Sequence, residues 1–74
     1  MYKILIVEDD ETIAGGLKNH LEKWNYQAEC MTDFKDVMGK FVEFEPQLVL
    51  LDIVLPFFNG FHWCQEIRKI SKVP

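Results

Sequence analysis

No apolar run in this chain approaches the roughly eighteen residues that a membrane-spanning helix requires, and the longest such runs are strand-sized. No secretory leader is expected either. Met1-Tyr2-Lys3 leads into a short apolar run that ends in Glu8-Asp9-Asp10, with no small-residue cleavage site. A cytoplasmic location is therefore expected. Cysteine is scarce: Cys30 and Cys64 are the only two and show no CxxC or CxxxH spacing. In such a chain both read as buried thiols, although sequence alone leaves a disulfide open. The eight basic residues are scattered and outnumbered by twelve acids, for a net charge of −4. With no basic stripe to meet phosphates, nucleic-acid binding by this segment is not expected. Internal repeats and low-complexity tracts are also absent. What remains is ordinary globular composition, 49% hydrophobic and 27% charged, in 74 residues that allow one domain at most.

The stretch Gln47-Leu48-Val49-Leu50-Leu51-Asp52 carries the strongest signal. Its continuous apolar run reads as a strand buried on both faces, and Asp52 falls where that strand leaves the sheet. Pro56 and Gly60 mark the loop that follows. Lys3–Val7 is a second run of the same kind, ending in Glu8-Asp9-Asp10-Glu11. Ile13, Leu17, Leu21 and Trp24 then form a helical stripe, with Asp10 as its N-cap. Gly15-Gly16 costs that helix roughly 1 kcal/mol per glycine, which a close approach to the sheet would partly offset. Asn25-Tyr26 reads as a turn, and Gln27–Met31 as a weaker, edge-like strand. Thr32 or Asp33 caps a second helix with Phe34, Val37, Met38 and Phe41 on its apolar face, and Glu45-Pro46 stops it. A third helix starts near Asn59-Gly60, with Trp63, Cys64, Ile67 and Ile70 inward and Gln65, Glu66, Arg68 and Lys69 outward. Ser71–Pro74 looks like the approach to another strand.

The order β-α-β-α-β-α, at roughly 25 residues per unit, implies a parallel sheet with right-handed crossovers. In a sheet ordered 2-1-3, the carboxyl ends of the first and third strands lie side by side. Glu8, Asp9 and Asp52 then converge although Asp52 is remote in sequence. Three close carboxylates raise one another's pKa, and a hard dication relieves that repulsion. Magnesium suits such a site, being held by one or two carboxylates together with phosphate oxygens. A carboxylate beside it is placed to act as a nucleophile in phosphoryl transfer. The plainer reading of Glu8-Asp9-Asp10 is a solvated helix start, and of Asp52 a turn residue; the shared sheet edge favours the metal site.

Ile4-Leu5-Ile6-Val7-Glu8-Asp9-Asp10, followed by Leu50-Leu51-Asp52-Ile53-Val54-Leu55-Pro56 and Asn59-Gly60, resembles the receiver domain of two-component response regulators. The resemblance implies a flavodoxin-like α/β fold, reduced here to three parallel strands in order 2-1-3 and three helices. It implies Asp52 as phosphoacceptor, Asp9 as a direct Mg2+ ligand and Glu8 as the neighbouring acid that acts through water. Val54 would supply a backbone carbonyl to the metal. The implied partner is a sensor histidine kinase, and the opening Ile-Val-Glu-Asp-Asp-Glu is similar to transcriptional regulators carrying a winged-helix DNA-binding domain. Residues 1–74 match about three-fifths of a receiver: the switch Ser/Thr after a fourth strand, the Lys after a fifth and any output domain have no counterpart here. Lys72 precedes the fourth strand and does not replace that Lys.

The open edge of the third strand and the uncovered sheet face predict a homo-oligomer formed by sheet-edge pairing or strand exchange. A truncated assembly fragment that cannot be phosphorylated is one competing reading. A Mg-dependent aspartyl-phosphate phosphatase is another, weakened because the usual Asp-x-Asp arrangement would need an acid where Val54 stands; the chain is not expected to be an enzyme. His20 reads as solvated on the outer side of the first helix and His62 as a surface or capping residue. Phe57-Phe58 reads equally as a docking patch or as packing on the third helix. Trp24 and Trp63 read as core or boundary residues.

Overall fold

The computed structural model describes residues 1–74. Strand β1 (Lys3–Val7) is followed by helix α1 (Glu11–Lys23) and strand β2 (Gln27–Cys30). Helix α2 (Val37–Phe44), strand β3 (Leu48–Leu51) and helix α3 (Gly60–Arg68) complete it. The sheet has the order β2-β1-β3, as the sequence implied, and both pairings are parallel. Central β1 places Ile4 opposite Ala28 on one side and opposite Leu48 on the other. Being covered on both faces, it buries Ile4 through Val7 almost completely.

Alternation along β1 divides the interior in two. Leu5 and Val7 face α2 and α3, where Met31, Val37, Phe41, Phe44, Trp63 and Ile67 close the larger cluster. Ile6 faces α1 and packs with Ala14 and Ala28, flanked by Leu21, Cys30 and Leu50. All four β3 residues are only half-buried, not enclosed on both faces as their apolar run suggested. Beyond β3 the chain's own end begins another pairing: the Val49 N–H donates to the Pro74 carbonyl at 2.9 Å. Ser71–Pro74 is otherwise irregular.

The helix faces differ from the sequence reading in informative ways. On α1, Ala14 is buried and Leu21 half-buried, whereas Ile13, Leu17 and Trp24 are exposed. The helix packs Ala14 and Leu21 toward Ile6 and Ala28, so Leu21 of the expected stripe faces the core and the other three do not. Leu17 is left lining an open groove with Ile6, Leu50 and Leu51, and Trp24 is the C-cap residue at the helix end. A Cβ added at Gly15 or Gly16 would meet nothing within 4 Å, so close approach to the sheet does not explain the pair.

Asn25 turns the chain with φ 66°. The α2 N-cap is Asp36, whose Oδ1 accepts the Gly39 N–H at 2.9 Å, and not Thr32 or Asp33. Asp33 instead accepts the Lys35 N–H at 3.0 Å, making a tight turn before the helix. Phe34 therefore lies outside α2, yet still packs against the larger cluster. Glu45 ends the helix in the left-handed region, at φ 53°. On α3 the line Gly60, Trp63, Ile67 is buried. Cys64 sits about 100° round the helix from Trp63 and is exposed, and Ile70, past the helix end, is exposed too. The two free cysteines are thus one exposed thiol and one half-buried thiol, Cys30, whose pKa burial raises. Its Sγ lies 3.6 Å from the Ala14 carbonyl.

Candidate metal and phosphoryl site

Parallel register makes the site. Val7 pairs with Leu51, so the residues that follow each strand, Glu8 and Asp52, leave the sheet on the same edge. The Asp52 N–H extends the ladder by donating to the Val7 carbonyl at 3.0 Å. One carboxylate oxygen from each of Glu8, Asp9 and Asp52 lies within 4.8 Å of the others; Glu8 and Asp52 are half-buried and Asp9 is exposed. Asp10 is not in this group. It is spent on α1, its Oδ1 accepting the N–H of Thr12 at 3.0 Å and of Ile13 at 3.2 Å.

The local hydrogen bonds orient these acids. Glu8 Oε1 accepts the Asp10 N–H at 3.0 Å, and Asp52 Oδ1 accepts the Val54 N–H at 3.3 Å. The Asp10 N–H is the largest single influence on Glu8 and lowers its pKa. Desolvation, the charge of Asp52, side-chain hydrogen bonding with Asp52 and the charge of Asp9 together outweigh it, so the Glu8 carboxyl titrates above its ordinary value. Of the mutual effect the sequence led one to expect, the raised Glu8 carboxyl is the part the structure carries. An all-oxygen, anionic donor set suits a hard cation. Ligands on opposite sides of a magnesium ion are about 4.2 Å apart, at about 2.1 Å each, and the three carboxylate oxygens lie within 4.8 Å of one another.

The loop after Asp52 is tightly built. The Gly60 N–H donates to the Ile53 carbonyl at 2.8 Å, and a Cβ at Gly60 would collide with the Asp52 carbonyl oxygen. Asn59 caps α3, its Oδ1 accepting the His62 N–H at 3.0 Å. His62 stacks on Phe58 with ring centroids 4.5 Å apart, and Phe58 meets buried Trp63 edge-on at 5.6 Å. Phe58 thus packs onto the helix start, whereas Phe57 stays 67% exposed. His20 is exposed on α1. Val54 is exposed as well. The contact between Phe57 and Lys35, 4.7 Å from ammonium to ring centroid, had no signal in the sequence, because two loops remote from each other supply it. Asp36 as a cap was legible in principle, since it directly precedes the apolar face of α2.

The fold and site define an α/β domain with an acid cluster where two adjacent parallel strands end. Residues 4–74 match the response regulator receiver domain family, and the chain belongs to that family. It is 53% identical over all 74 residues to the uncharacterized transcriptional regulatory protein YvcP of Bacillus subtilis, of which it covers 31%. The chain thus spans about a third of the length of the curated relatives it matches. Among solved structures it is similar to the N-terminal domain of the nisin resistance regulator NsrR. There the TM-score is 0.92 at 46% identity, covering 100% of this chain and 62% of that one. It is also similar to TrrA of Thermotoga maritima in complex with Mg(2+)-BeF, with TM-score 0.85 and 33% identity over 93% of this chain and 60% of that one. TrrA has also been solved in complex with the histidine kinase ThkA. No helix here is long and apolar enough to cross a membrane.

Proposed function

We propose that this chain is the phosphoacceptor segment of a cytoplasmic two-component response regulator. In this reading Asp52 takes a phosphoryl group from the phosphohistidine of a sensor histidine kinase. The observation that carries it is the convergence of Glu8, Asp9 and Asp52 at adjacent strand ends. The family match and the solved complexes of TrrA support it. Glu8, Asp9, Asp52 and the Val54 backbone carbonyl would hold Mg2+, which when bound neutralises charge on the transferring phosphoryl oxygens.

The chain's own atoms do the rest. Asp52 Oδ1 is engaged by the Val54 N–H, which leaves Oδ2 free as the nucleophile. An Oδ2–P bond forms as the N–P bond of the donor breaks, and the imidazole nitrogen keeps the electron pair. Glu8, tied back by the Asp10 N–H, keeps negative charge beside the site and stays off the phosphorus. The Gly60 approach and the Asn59 cap fix the loop that carries Asp52. The parent is a transcriptional regulator, as YvcP is named, with its DNA-binding part outside residues 1–74 and no nucleic-acid contact from this acidic segment.

Acetyl phosphate with Mg2+, read by intact-protein mass spectrometry, tests the assignment. One phosphoryl group is expected on the chain and none on Asp52→Asn. Equal incorporation by the variant would sink it. Titration with millimolar Mg2+ should also change tryptophan emission, through Trp63 packed beside the Asp52 loop.

A further inference from the structure

The loop between β3 and α3 is held in an uncommon form. Phe57 has φ 67°, in the left-handed region where a bulky side chain is an outlier. The Phe58 N–H donates to the Pro56 carbonyl at 2.9 Å, closing a three-residue γ-turn around Phe57. Such strain persists only where the surroundings over-determine it, and it clusters at functional sites. One such determinant is visible. Lys35 Nζ sits over the Phe57 ring at 4.7 Å from the centroid. Lys35 is itself presented by a turn in which its N–H donates to Asp33 Oδ1 at 3.0 Å.

Topology gives this contact its meaning. Lys35 belongs to the segment after β2 and Phe57 to the segment after β3, and β1 lies between those strands. A contact joining the two segments spans the carboxyl end of β1, the strand that delivers Glu8 and Asp9. The same short loop runs from Asp52 to Gly60, whose N–H is bonded to the Ile53 carbonyl.

We propose that Lys35 and Phe57 form a cation–π strap that holds the β3–α3 loop in its strained turn and so positions Asp52. Lys35 is then a positioning residue for the phosphoryl transfer assigned to Asp52, and this inference rests on that assignment. Lysine and arginine both make such contacts with aromatic faces, whereas methionine of similar length brings no charge.

Amide hydrogen exchange at Phe58 and Gly60, measured by NMR on the chain, tests the strap. Lys35→Met should speed both by about 2- to 5-fold, the range for an exposed cation–π contact, and Lys35→Arg should leave them near the wild-type rate. Phe57→Leu should match Lys35→Met, and the double variant should add nothing further, because both remove one interaction. Unchanged exchange in Lys35→Met, or fully additive effects, overturns the strap. Phosphorylation by acetyl phosphate should slow by a similar factor in Lys35→Met and recover in Lys35→Arg. Faster exchange with an unaltered phosphorylation rate overturns the positioning role. If no variant and no wild-type chain accepts phosphate while exchange follows the expected pattern, the Asp52 assignment fails, the positioning claim falls with it, and the strap stands.

Discussion

Glu8 and Asp52 meet because Val7 and Leu51 are register partners in a parallel pair. Each acid ends an apolar run, which made both visible in sequence as strand-end carboxylates; the pairing of the strands had to be inferred from the β-α-β order. What sequence hid at this scale are contacts between loops, such as Lys35 with Phe57, and the exposure of Cys64. Two substitutions read the site's energetics. Glu8→Gln removes one charge from the cluster, and like charges at about this separation in a water-like environment repel by roughly 1 kcal/mol. The variant should therefore unfold at higher urea in the absence of metal and should bind Mg2+ more weakly. Urea titrations with and without Mg2+ check both signs. Gly60→Ala should destabilise on the order of 1–3 kcal/mol, because the added Cβ meets the Asp52 carbonyl, a backbone atom that cannot simply rotate aside. Its unfolding midpoint measures this directly.

Among the elements, the strands were more legible than the helix faces. An apolar run ending in acids marks a strand wherever it packs, but a helix shows which side is inward only through its neighbours. On α1 those neighbours are Ile6 and Ala28, and they take Ala14 beside the expected Leu21 and leave Ile13 and Leu17 exposed. Gly15 and Gly16 now have a measurable consequence. With nothing within 4 Å of either added Cβ, alanine at each should stabilise by roughly 1 kcal/mol through helix propensity alone, seen as a higher melting temperature. On α3, Lys69 Nζ lies 2.5 Å from Glu66 Oε2. That hydrogen bond, helped by the Lys69 and His62 charges and opposed by desolvation, holds the Glu66 carboxyl below its ordinary 4.5. Such a depressed acid contributes stability above its unfolded pKa and loses it as pH falls through the folded value. Lys69→Met should return Glu66 to the ordinary range and remove that dependence on the acid limb, which an NMR titration of the carboxyl carbon resolves.

At the scale of the whole chain, the strand order 2-1-3 was readable and the uneven burial of the sheet only partly so. β1 is enclosed, while β3 is half-buried and adjoins a groove lined by Leu17, Ile6, Leu50 and Leu51. Exposed apolar surface beside a strand edge that makes one backbone bond, to Pro74, favours pairing with another copy. The chain should elute larger than a monomer, with a melting temperature that rises with concentration, and Leu17→Lys should shift it toward the monomer. A concentration-independent monomer in sedimentation would exclude this. The larger cluster under α2 and α3 was well anticipated, since Val37, Phe41, Trp63 and Ile67 all carried helical spacing.

The central position of β1 also sets an order of events in time. Ile4 pairs with Ala28 and with Leu48, so the β1–β3 contact closes the longer loop and carries an additional entropic barrier of about 0.5 kcal/mol. A nucleus of β1, α1 and β2 around Ile6, Ala14 and Ala28 would form first, with β3 arriving afterwards. Ala28→Gly should then slow refolding, while Leu50→Ala should mainly speed unfolding. Asp52 rides on the late-arriving strand. Metal affinity would appear only in the last kinetic phase, making Mg2+ uptake a clock for the completion of folding.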